Sequence, residues 1–217
     1  MNSIVDALRK LDALGLNRSS SGNCSIRTEY GFCITPSGAS ADSLSEHSLV
    51  KMRVKSDEVD FFEHSEQKPS SEWRFHHDIY AQRPEVQAII HTHSPFATTL
   101  ACLHRDIPAF HYMIALAGGA DIRCAPYALF GTQELSNLAI EALYGRKACL
   151  LANHGMIAIG SSLEDAMRVA IEVESLAEQY WRVLQIGEPK LLTDLQMAEV
   201  LEKFKTYGLR ASTSKPT

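Results

Sequence analysis

Segments with the periodicity of strands alternate along this chain with segments that have the periodicity of helices. From Ile4 to Leu14, apolar residues recur three and four positions apart, which predicts an amphipathic helix. Between Asn23 and Val59, short alternating runs separated by glycine, proline and serine predict strands joined by tight turns. This alternation predicts an α/β fold, leaning to α+β, with helices covering a sheet, although periodicity alone leaves the strand order open.

The second half of the chain continues the alternation with clear boundaries. The run Val86 to His93 is apolar enough for a buried strand, and Ser94-Pro95 begins a helix because proline is well tolerated at the first helical position. Two further strands flank a turn at 153–155. The other predicted helices run over 72–81, 132–145, 162–185 and 193–206. We therefore expect one domain over residues 1–210 and a loose tail over residues 211–217.

Composition and charge exclude several classes of protein. The chain has 217 residues, of which 45% are hydrophobic and 22% charged, as in ordinary globular proteins. Its net charge of -5 disfavours broad nucleic-acid binding, which needs a concentrated basic surface. No apolar run approaches the roughly 20 residues that span a bilayer, and no secretory leader is recognisable. We therefore predict a cytoplasmic protein with neither a nucleic-acid partner nor a membrane partner.

A pair of histidines, His91 and His93, ends the predicted buried strand. Residues two apart on a strand project from the same face, so both imidazoles can close on a single metal ion. The alternative is a strand end that exposes two solvated histidines, which is the more common meaning of an isolated His-x-His pattern. The pattern becomes specific only when other ligands lie in range.

Two further residues could complete such a site. His154 lies in the turn 153–155, where Gly155 lets a side chain approach closely. Glu72 stands at the predicted start of a helix shortly before the His-x-His strand. Three histidines and one carboxylate would satisfy a four-coordinate zinc ion, and release of the carboxylate would open one position for substrate.

The remaining histidines outside this set are predicted to lie at the surface or behind the ligands. His76 and His77 are adjacent on the predicted helix after Glu72, so one of them should face outward whatever the helix phase. His47, His64 and His104 lie in polar segments, which favours exposure. His111 lies in an apolar run and is left unassigned.

Several blocks of residues, in order, resemble the class II aldolase and adducin family. They are Gly22-Asn23-x-Ser25, Thr35-Pro36-Ser37-Gly38, Pro69-Ser70-Ser71-Glu72-Trp73, His91-x-His93, 107–113, 124–127, 130–132 and the closing run 202–210. The resemblance covers nearly the whole chain. It implies a mostly antiparallel central sheet flanked by helices, and a homotetramer with active sites at subunit boundaries.

The resemblance also implies a complete set of site residues. One zinc ion per subunit would be held by His91, His93 and His154, with Glu72 as fourth ligand at rest and afterwards the proton-transfer group. Tyr112 of a neighbouring subunit would serve the aldehyde oxygen. Substrate would be bound by Ser20, Asn23, Thr35, Gly38, Ser70 and Ser71 at its phosphate, and by Phe130 and Tyr207 at its aldehyde end.

The implied reaction is cleavage of a ketose 1-phosphate, such as L-fuculose 1-phosphate, to dihydroxyacetone phosphate and an aldehyde. Departures from the family's fuculose-cleaving pattern, such as Ser94-Pro95-Phe96 and Ser19-Ser20-Ser21, touch pocket walls more than ligands. A substrate such as 5-deoxyribulose 1-phosphate or 5-methylthioribulose 1-phosphate is therefore an alternative. Epimerisation of L-ribulose 5-phosphate, a related dehydration, and a non-catalytic adducin-like interaction domain are the others.

Overall fold

The structure, a computed structural model, describes residues 3–17, 21–40, 42–54 and 67–205. Its strands are β1 (Asn23–Thr28), β2 (Gly31–Ile34), β3 (Val50–Arg53), β4 (Ala88–Thr92), β5 (Cys124–Ala125), β6 (Ala148–Leu151) and β7 (Gly155–Gly160). Its helices are α1 (Ile4–Ala13), α2 (Trp73–Gln82), α3 (Pro95–Cys102), α4 (Gln133–Ala142), α5 (Leu163–Ile186) and α6 (Asp194–Phe204), with short 3-10 helices at Glu46–Ser48 and Tyr112–Ala117.

The strands form one sheet in the order β3-β2-β1-β4-β7-β6-β5. Every neighbouring pair is antiparallel except β5 and β6, which run parallel. The predicted mostly antiparallel sheet flanked by helices is therefore confirmed. The strand order depends on long-range pairs such as Asn23 with His91, which local periodicity does not reveal.

Helix boundaries follow from capping residues in the sequence. The hydroxyls of Thr132 and Ser162 accept hydrogen bonds from the backbone N–H groups of Leu135 and Asp165, which satisfies amides that have no partner inside the helix. Pro95 occupies the first position of α3, and Gly187 follows the last residue of α5. The predicted boundaries of these helices agree with the structure to within a few residues.

The sheet separates two apolar layers. Alternate strand residues point to opposite faces, so Ile90 packs in the layer that holds α1, α3 and α5. Ile89 packs in the layer on the other face, where α2 and α4 pack against each other. His91 lies two residues after Ile89 and therefore projects into the α2 side of the sheet. Strand β4 lies in the middle of the sheet, paired on both edges, which fixes its ends firmly.

Two short elements between Tyr112 and Ala125 escaped the sequence-based prediction. The two-residue strand β5 is too short to show a period, and the 3-10 helix at Tyr112–Ala117 lies in an apolar run without helical spacing. The predicted tail over residues 211–217 lies outside the described residues, as does the end of the last predicted helix at Thr206. Within the described ranges, none of the helices is long and apolar enough to cross a bilayer.

A buried carboxylate ties α5 to the helix that follows the histidine strand. Ser94 makes no side-chain cap to α3; instead, Glu174 accepts hydrogen bonds from the N–H groups of Phe96 and Ala97, both at 2.8 Å. We predict that Glu174→Ala lowers the free energy of unfolding by about 2 kcal/mol, because two buried amides lose a charged partner. A melting temperature lower by roughly 4–8 °C would show this.

The matched control for that prediction is Glu178→Ala on the same helix. Glu178 forms an exposed pair with Arg182, and exposed pairs contribute about 0.2–1 kcal/mol. Equal melting temperatures for the two variants would show that Glu174 does not act as the cap of α3.

Candidate metal centre and active site

Four ligand-type side chains converge at one end of the central strands. One ligand atom from each of Glu72, His91, His93 and His154 lies within 4.8 Å of all the others. The imidazole centroids are 4.8–4.9 Å apart in each pair, and the rings meet edge to face. The structure thus brings together all four residues that the sequence suggested as ligands.

Strand β4 orients the first two histidines. The Nδ1–H of His91 donates to the carbonyl oxygen of Met156 on β7 at 2.9 Å, so in the neutral ring the lone pair is on Nε2, on the side of the cluster. His93 follows two residues later, and its Nε2 lies 3.0 Å from that of His91. The strand period and one backbone hydrogen bond therefore set both rings.

The turn between β6 and β7 delivers His154. Asn153 adopts a left-handed conformation, with φ of 55°, which asparagine tolerates better than most residues. Gly155 lies against the histidine strand, where an added Cβ would meet the carbonyl oxygen of Thr92 at 2.3 Å. Only glycine allows this turn to approach the His-x-His segment so closely.

The start of α2 delivers the carboxylate. Glu72 precedes the first residue of α2, and its N–H donates to the Ser70 hydroxyl at 3.3 Å. Its side chain is buried, and Oε2 accepts a hydrogen bond from the side-chain amide of Asn23 at 2.9 Å. The same oxygen lies 3.1 Å from His91 Nε2, while Oε1 lies 2.9 Å from His154 Nε2.

The charge state of the cluster follows from burial and proximity. Burial would raise the pKa of the Glu72 carboxyl, but the imidazoles of His91 and His154 outweigh burial and hold it below its usual range. Burial opposes a charge on His91, yet the carboxylate of Glu72 raises the pKa of that imidazole overall. Burial and the neighbouring imidazoles lower the pKa of His93 to about 4, so it is neutral at pH 7.

The cluster fits a bound cation. Glu72 Oε1 is buried without a hydrogen bond of acceptable geometry among the described residues, although His154 Nε2 is 2.9 Å away. Each of these two atoms can offer a lone pair to a bound ion. His91 and His93 likewise present ring nitrogens 3.0 Å apart, an arrangement that a positive ion stabilises. The residues therefore fit a divalent metal held by three nitrogens and one oxygen.

A polar cavity of about 340 Å³ opens beside this cluster. It is lined by Ser21, Gly22, Asn23, Pro36, Ser37, Gly38, Ser70, Ser71, Glu72, His93, Tyr127, Ala128, Phe130, Asn153 and His154. Hydroxyl groups and the start of α2 form one side, which suits an anion because the N–H groups of a first helical turn carry partial positive charge. Tyr127 and Phe130, both exposed, form the rim.

The other predicted site residues occupy various positions. Thr35 is buried beside the cavity, where its hydroxyl accepts a hydrogen bond from Cys24 N–H and its carbonyl accepts one from Ser70 N–H. Tyr112 is half exposed, begins a 3-10 helix and is absent from the lining of this cavity. Ser20 and Tyr207 lie outside the described residues.

The expectation that His76 or His77 faces outward was wrong, since both side chains are buried. The expectation assumed that α2 packs against the rest of the protein on one side only. In the structure α2 is covered both by the sheet and by α4. His76 donates or accepts at both ring nitrogens, with partners Asn23 and Ser25. It therefore lies behind the ligands, as the sequence-based prediction allowed, while His47 and His104 are exposed as predicted.

A cluster of three histidines and one glutamate that can hold a metal ion, beside an anion-sized cavity, is typical of a metal-dependent enzyme. The profile of the class II aldolase and adducin N-terminal domain matches residues 2–181, and the chain belongs to that family. The fold, the ligand cluster and the family assignment agree with one another.

Relatives of known name cover almost the whole chain. A 5-methylthioribulose-1-phosphate/5-deoxyribulose-1-phosphate aldolase of Rhodospirillum rubrum is 55% identical over 213 residues, which are 98% of this chain and 94% of that protein. An L-fuculose phosphate aldolase of Escherichia coli strain K12 is 47% identical over 209 residues, covering 95% and 94% respectively. A solved L-fuculose 1-phosphate aldolase superposes with a TM-score of 0.87 and 40% identity, covering 93% of this chain and 94% of that one.

These relationships fix the type of enzyme. The relatives named above are aldolases, and this chain matches each of them over nearly its full length. The chain is therefore a class II aldehyde-lyase. The four ligand-type residues are all present and gathered in one place, which sets aside the alternative of a non-catalytic adducin-like domain.

Proposed function

We propose that this aldolase cleaves a deoxyketose 1-phosphate to dihydroxyacetone phosphate and an aldehyde. The observation that carries the proposal is the juxtaposition of Glu72 and three histidines with a cavity rich in hydroxyl groups. One end of the cavity suits a phosphate and the other ends at a carboxylate that can exchange a proton.

We assign the metal as zinc, one per subunit, bound by His91, His93 and His154, with Glu72 as the fourth ligand at rest. When bound, such an ion acts as a Lewis acid that stabilises negative charge developing on a ketone oxygen. The chain's own contribution is to orient the histidines. His91 is held by Met156 O, and the low pKa of His93 keeps its lone pair free.

The phosphate would lie among Asn23, Gly38, Ser70 and Ser71, with Thr35 and Ser20 completing the pocket. The Ser70 hydroxyl accepts a hydrogen bond from the N–H of Glu72. A phosphate bound at Ser70 would therefore contact the same segment that carries the Glu72 carboxylate. Gly38 adopts a left-handed conformation, with φ of 70°, which exposes backbone amides in the turn.

Glu72 moves the proton at carbon. In the cleaving direction it returns a proton to the carbon next to the ketone, and in the condensing direction it removes that proton. The other proton comes from the alcohol that becomes the aldehyde, and we assign its transfer to Tyr112. Because Tyr112 does not line the cavity of its own chain, it would act on the site of a neighbouring copy.

The site would therefore be completed by assembly. Tyr112, Tyr127, Leu129 and Phe130 are all large and exposed, which is consistent with burial against another subunit. We propose the homotetramer implied by the family, with Phe130 and Tyr207 shaping the aldehyde end. A cytoplasmic location remains a prediction.

The aldehyde half is tested with a set of substrates. The relatives named above act on 5-methylthioribulose 1-phosphate, 5-deoxyribulose 1-phosphate or L-fuculose phosphate, and the first pair belongs to the relative with the higher identity. We expect chelator-sensitive release of dihydroxyacetone phosphate from at least one of the three, measured by a coupled assay. The order of kcat/KM values identifies the aldehyde half.

The same assay has an outcome that contradicts the proposal. If zinc-loaded protein releases dihydroxyacetone phosphate from none of the three, the aldolase substrate class is wrong. Assays with L-ribulose 5-phosphate would then test the epimerase alternative, and loss of water from related phosphates would test a dehydratase.

A further inference from the structure

Side chains from α2 and β1 alternate in a line behind the metal cluster. Glu72, His76 and Tyr80 are four residues apart, so they share one face of the helix. Asn23 and Ser25 are two residues apart, so they share one face of the strand. The helix face packs on this strand face, and the five side chains interleave in the order Glu72, Asn23, His76, Ser25, Tyr80.

Each neighbour in this line is hydrogen bonded to the next. The distances are 2.9 Å from Asn23 Nδ2 to Glu72 Oε2, 2.5 Å from His76 Nε2 to Asn23 Oδ1, 2.7 Å from Ser25 Oγ to His76 Nδ1 and 2.9 Å from Tyr80 Oη to Ser25 Oγ. All five side chains are buried. Buried hydrogen bonds of this kind are costly to leave unmade.

Only one assignment of donors and acceptors along this line satisfies every hydrogen bond. An ionised Glu72 can only accept, so Asn23 must direct its NH₂ group at the carboxylate and its oxygen at His76. His76 must then carry its proton on Nε2, and its Nδ1 accepts from the Ser25 hydroxyl. The Ser25 oxygen in turn accepts from the hydroxyl of Tyr80.

The reverse direction leaves groups without partners. It needs a proton on Glu72 Oε2, and it needs an acceptor beyond Tyr80. Within the described ranges, the Tyr80 hydroxyl has Ser25 Oγ as its only hydrogen-bond partner. Arg27 fixes the position of Tyr80, since its guanidinium lies 4.7 Å from the ring centroid and donates to Tyr80 O at 2.8 Å.

We propose that Asn23, His76, Ser25 and Tyr80 act as positioning residues that hold Glu72 Oε2 permanently as an acceptor and so restrict proton transfer to Oε1. The inference rests on the proposed function, because it assigns the reacting atom of the carboxylate. Nothing in the line needs to exchange a proton during turnover. Its effect is to keep Oε2 occupied as an acceptor, so that Oε1 is the oxygen that takes up the proton.

The surroundings of the two carboxylate oxygens agree with this assignment. Oε2 lies on the side of His91, whose side chain is fully buried, while Oε1 lies on the side of His154, which lines the cavity. Oε1 is also the oxygen without a hydrogen bond of acceptable geometry among the described residues. Glu72 and His154 both line the cavity, so a proton on Oε1 lies next to it.

The first test determines which ring nitrogen of His76 carries the proton, and it does not depend on catalytic activity. In protein with ¹⁵N-labelled histidine, with and without zinc, the signals of His76 are identified by their loss in His76→Gln. The proposal requires the neutral ring with its proton on Nε2. A neutral ring with the proton on Nδ1, or a protonated ring at pH 7, would overturn it.

The second test measures catalysis in matched variants. We expect His76→Phe to lower kcat by about tenfold, with zinc content within twofold of wild type, because Asn23 loses the acceptor that orients it. His76→Gln should recover most of the rate, since glutamine offers an N–H donor and an oxygen acceptor. His77→Phe, on the same buried helix but outside the line, should leave kcat within about twofold.

The outcomes separate this inference from the proposed function. If wild-type protein neither cleaves a sugar phosphate nor exchanges a proton of dihydroxyacetone phosphate, the proposed function is wrong, and the nitrogen signals still decide the direction of the line. If wild type is active and His76→Phe matches it, the inference alone is wrong. Should His76→Phe fail to fold, Ser25→Ala removes a single hydroxyl and is expected to lower kcat several-fold.

Discussion

Glu72→Gln is expected to lower kcat by about a hundredfold or more while the protein still binds zinc. Glutamine keeps the shape of the side chain but cannot accept and release a proton, and three histidines remain as ligands. Glu72 is held by Asn23 and faces His154, so an amide fits the same space. The most direct measurement is exchange of one carbon-bound hydrogen of dihydroxyacetone phosphate with D₂O, which needs no aldehyde and therefore no knowledge of the substrate.

The control for that variant is Glu85→Gln, an exposed carboxylate paired with Arg83. It should exchange hydrogen at the wild-type rate. Wild-type exchange by Glu72→Gln, at equal zinc content, would assign proton transfer to another residue.

Removal of the metal is expected to have an effect at least as large. Chelation should lower kcat by about a hundredfold or more, and added Zn²⁺ should restore it. His154→Ala should raise the Kd for zinc by roughly a hundredfold, because the cluster loses one of three nitrogens. Titration of metal-free protein by calorimetry measures this, with the exposed His47→Ala as the control of equal chemistry.

Retention of wild-type zinc affinity by His154→Ala would remove His154 from the ligand set. Activity that survives chelation, with zinc below a small fraction per chain, would contradict a metal-dependent reaction altogether. Restoration by Co²⁺ or Mn²⁺ in place of Zn²⁺ would leave the ligand set intact and change only the identity of the ion.

Zinc affinity is also expected to depend on pH with a definite sign. Despite burial, the Glu72 carboxylate raises the pKa of His91 above the usual value of about 6.5 for histidine. A proton therefore competes with the metal at His91 through and somewhat above that pH, so the apparent affinity rises with pH and falls on acidification. His93, with a pKa of about 4, does not add to this dependence near neutrality. A Kd that is constant between pH 5.5 and 8 would contradict this picture.

The three candidate histidine ligands were predictable because each lies in a local pattern. The period of two places His91 and His93 on one face of a strand, and Gly155 marks His154 as part of a close turn. By contrast, the strand register pairs Asn23 with His91, two residues that are 68 positions apart in the sequence. No local pattern in either segment predicts this pairing. The strand order and the cavity shape depend on several such pairings at once.

The histidines of α2 show why a local rule fails. The prediction of an outward-facing histidine assumes that a helix has one buried face and one solvent-exposed face. Helix α2 instead lies between the sheet and α4. Both His76 and His77 are therefore buried. The interleaving of Glu72, His76 and Tyr80 with Asn23 and Ser25 was visible only as two separate spacings in the sequence, and their pairing required the tertiary structure.

Strand β4, paired on both edges at the middle of the sheet, has a consequence for how such enzymes diverge. The candidate ligand His91 lies on this strand and His93 follows it directly, whereas the cavity rim at Tyr127 and Phe130 consists of exposed loop residues. Mutations at the rim can therefore accumulate without cost to the metal centre. We therefore expect substitutions at the rim to change the choice of aldehyde with little effect on metal binding, which makes the rim the place to redirect that choice by directed evolution.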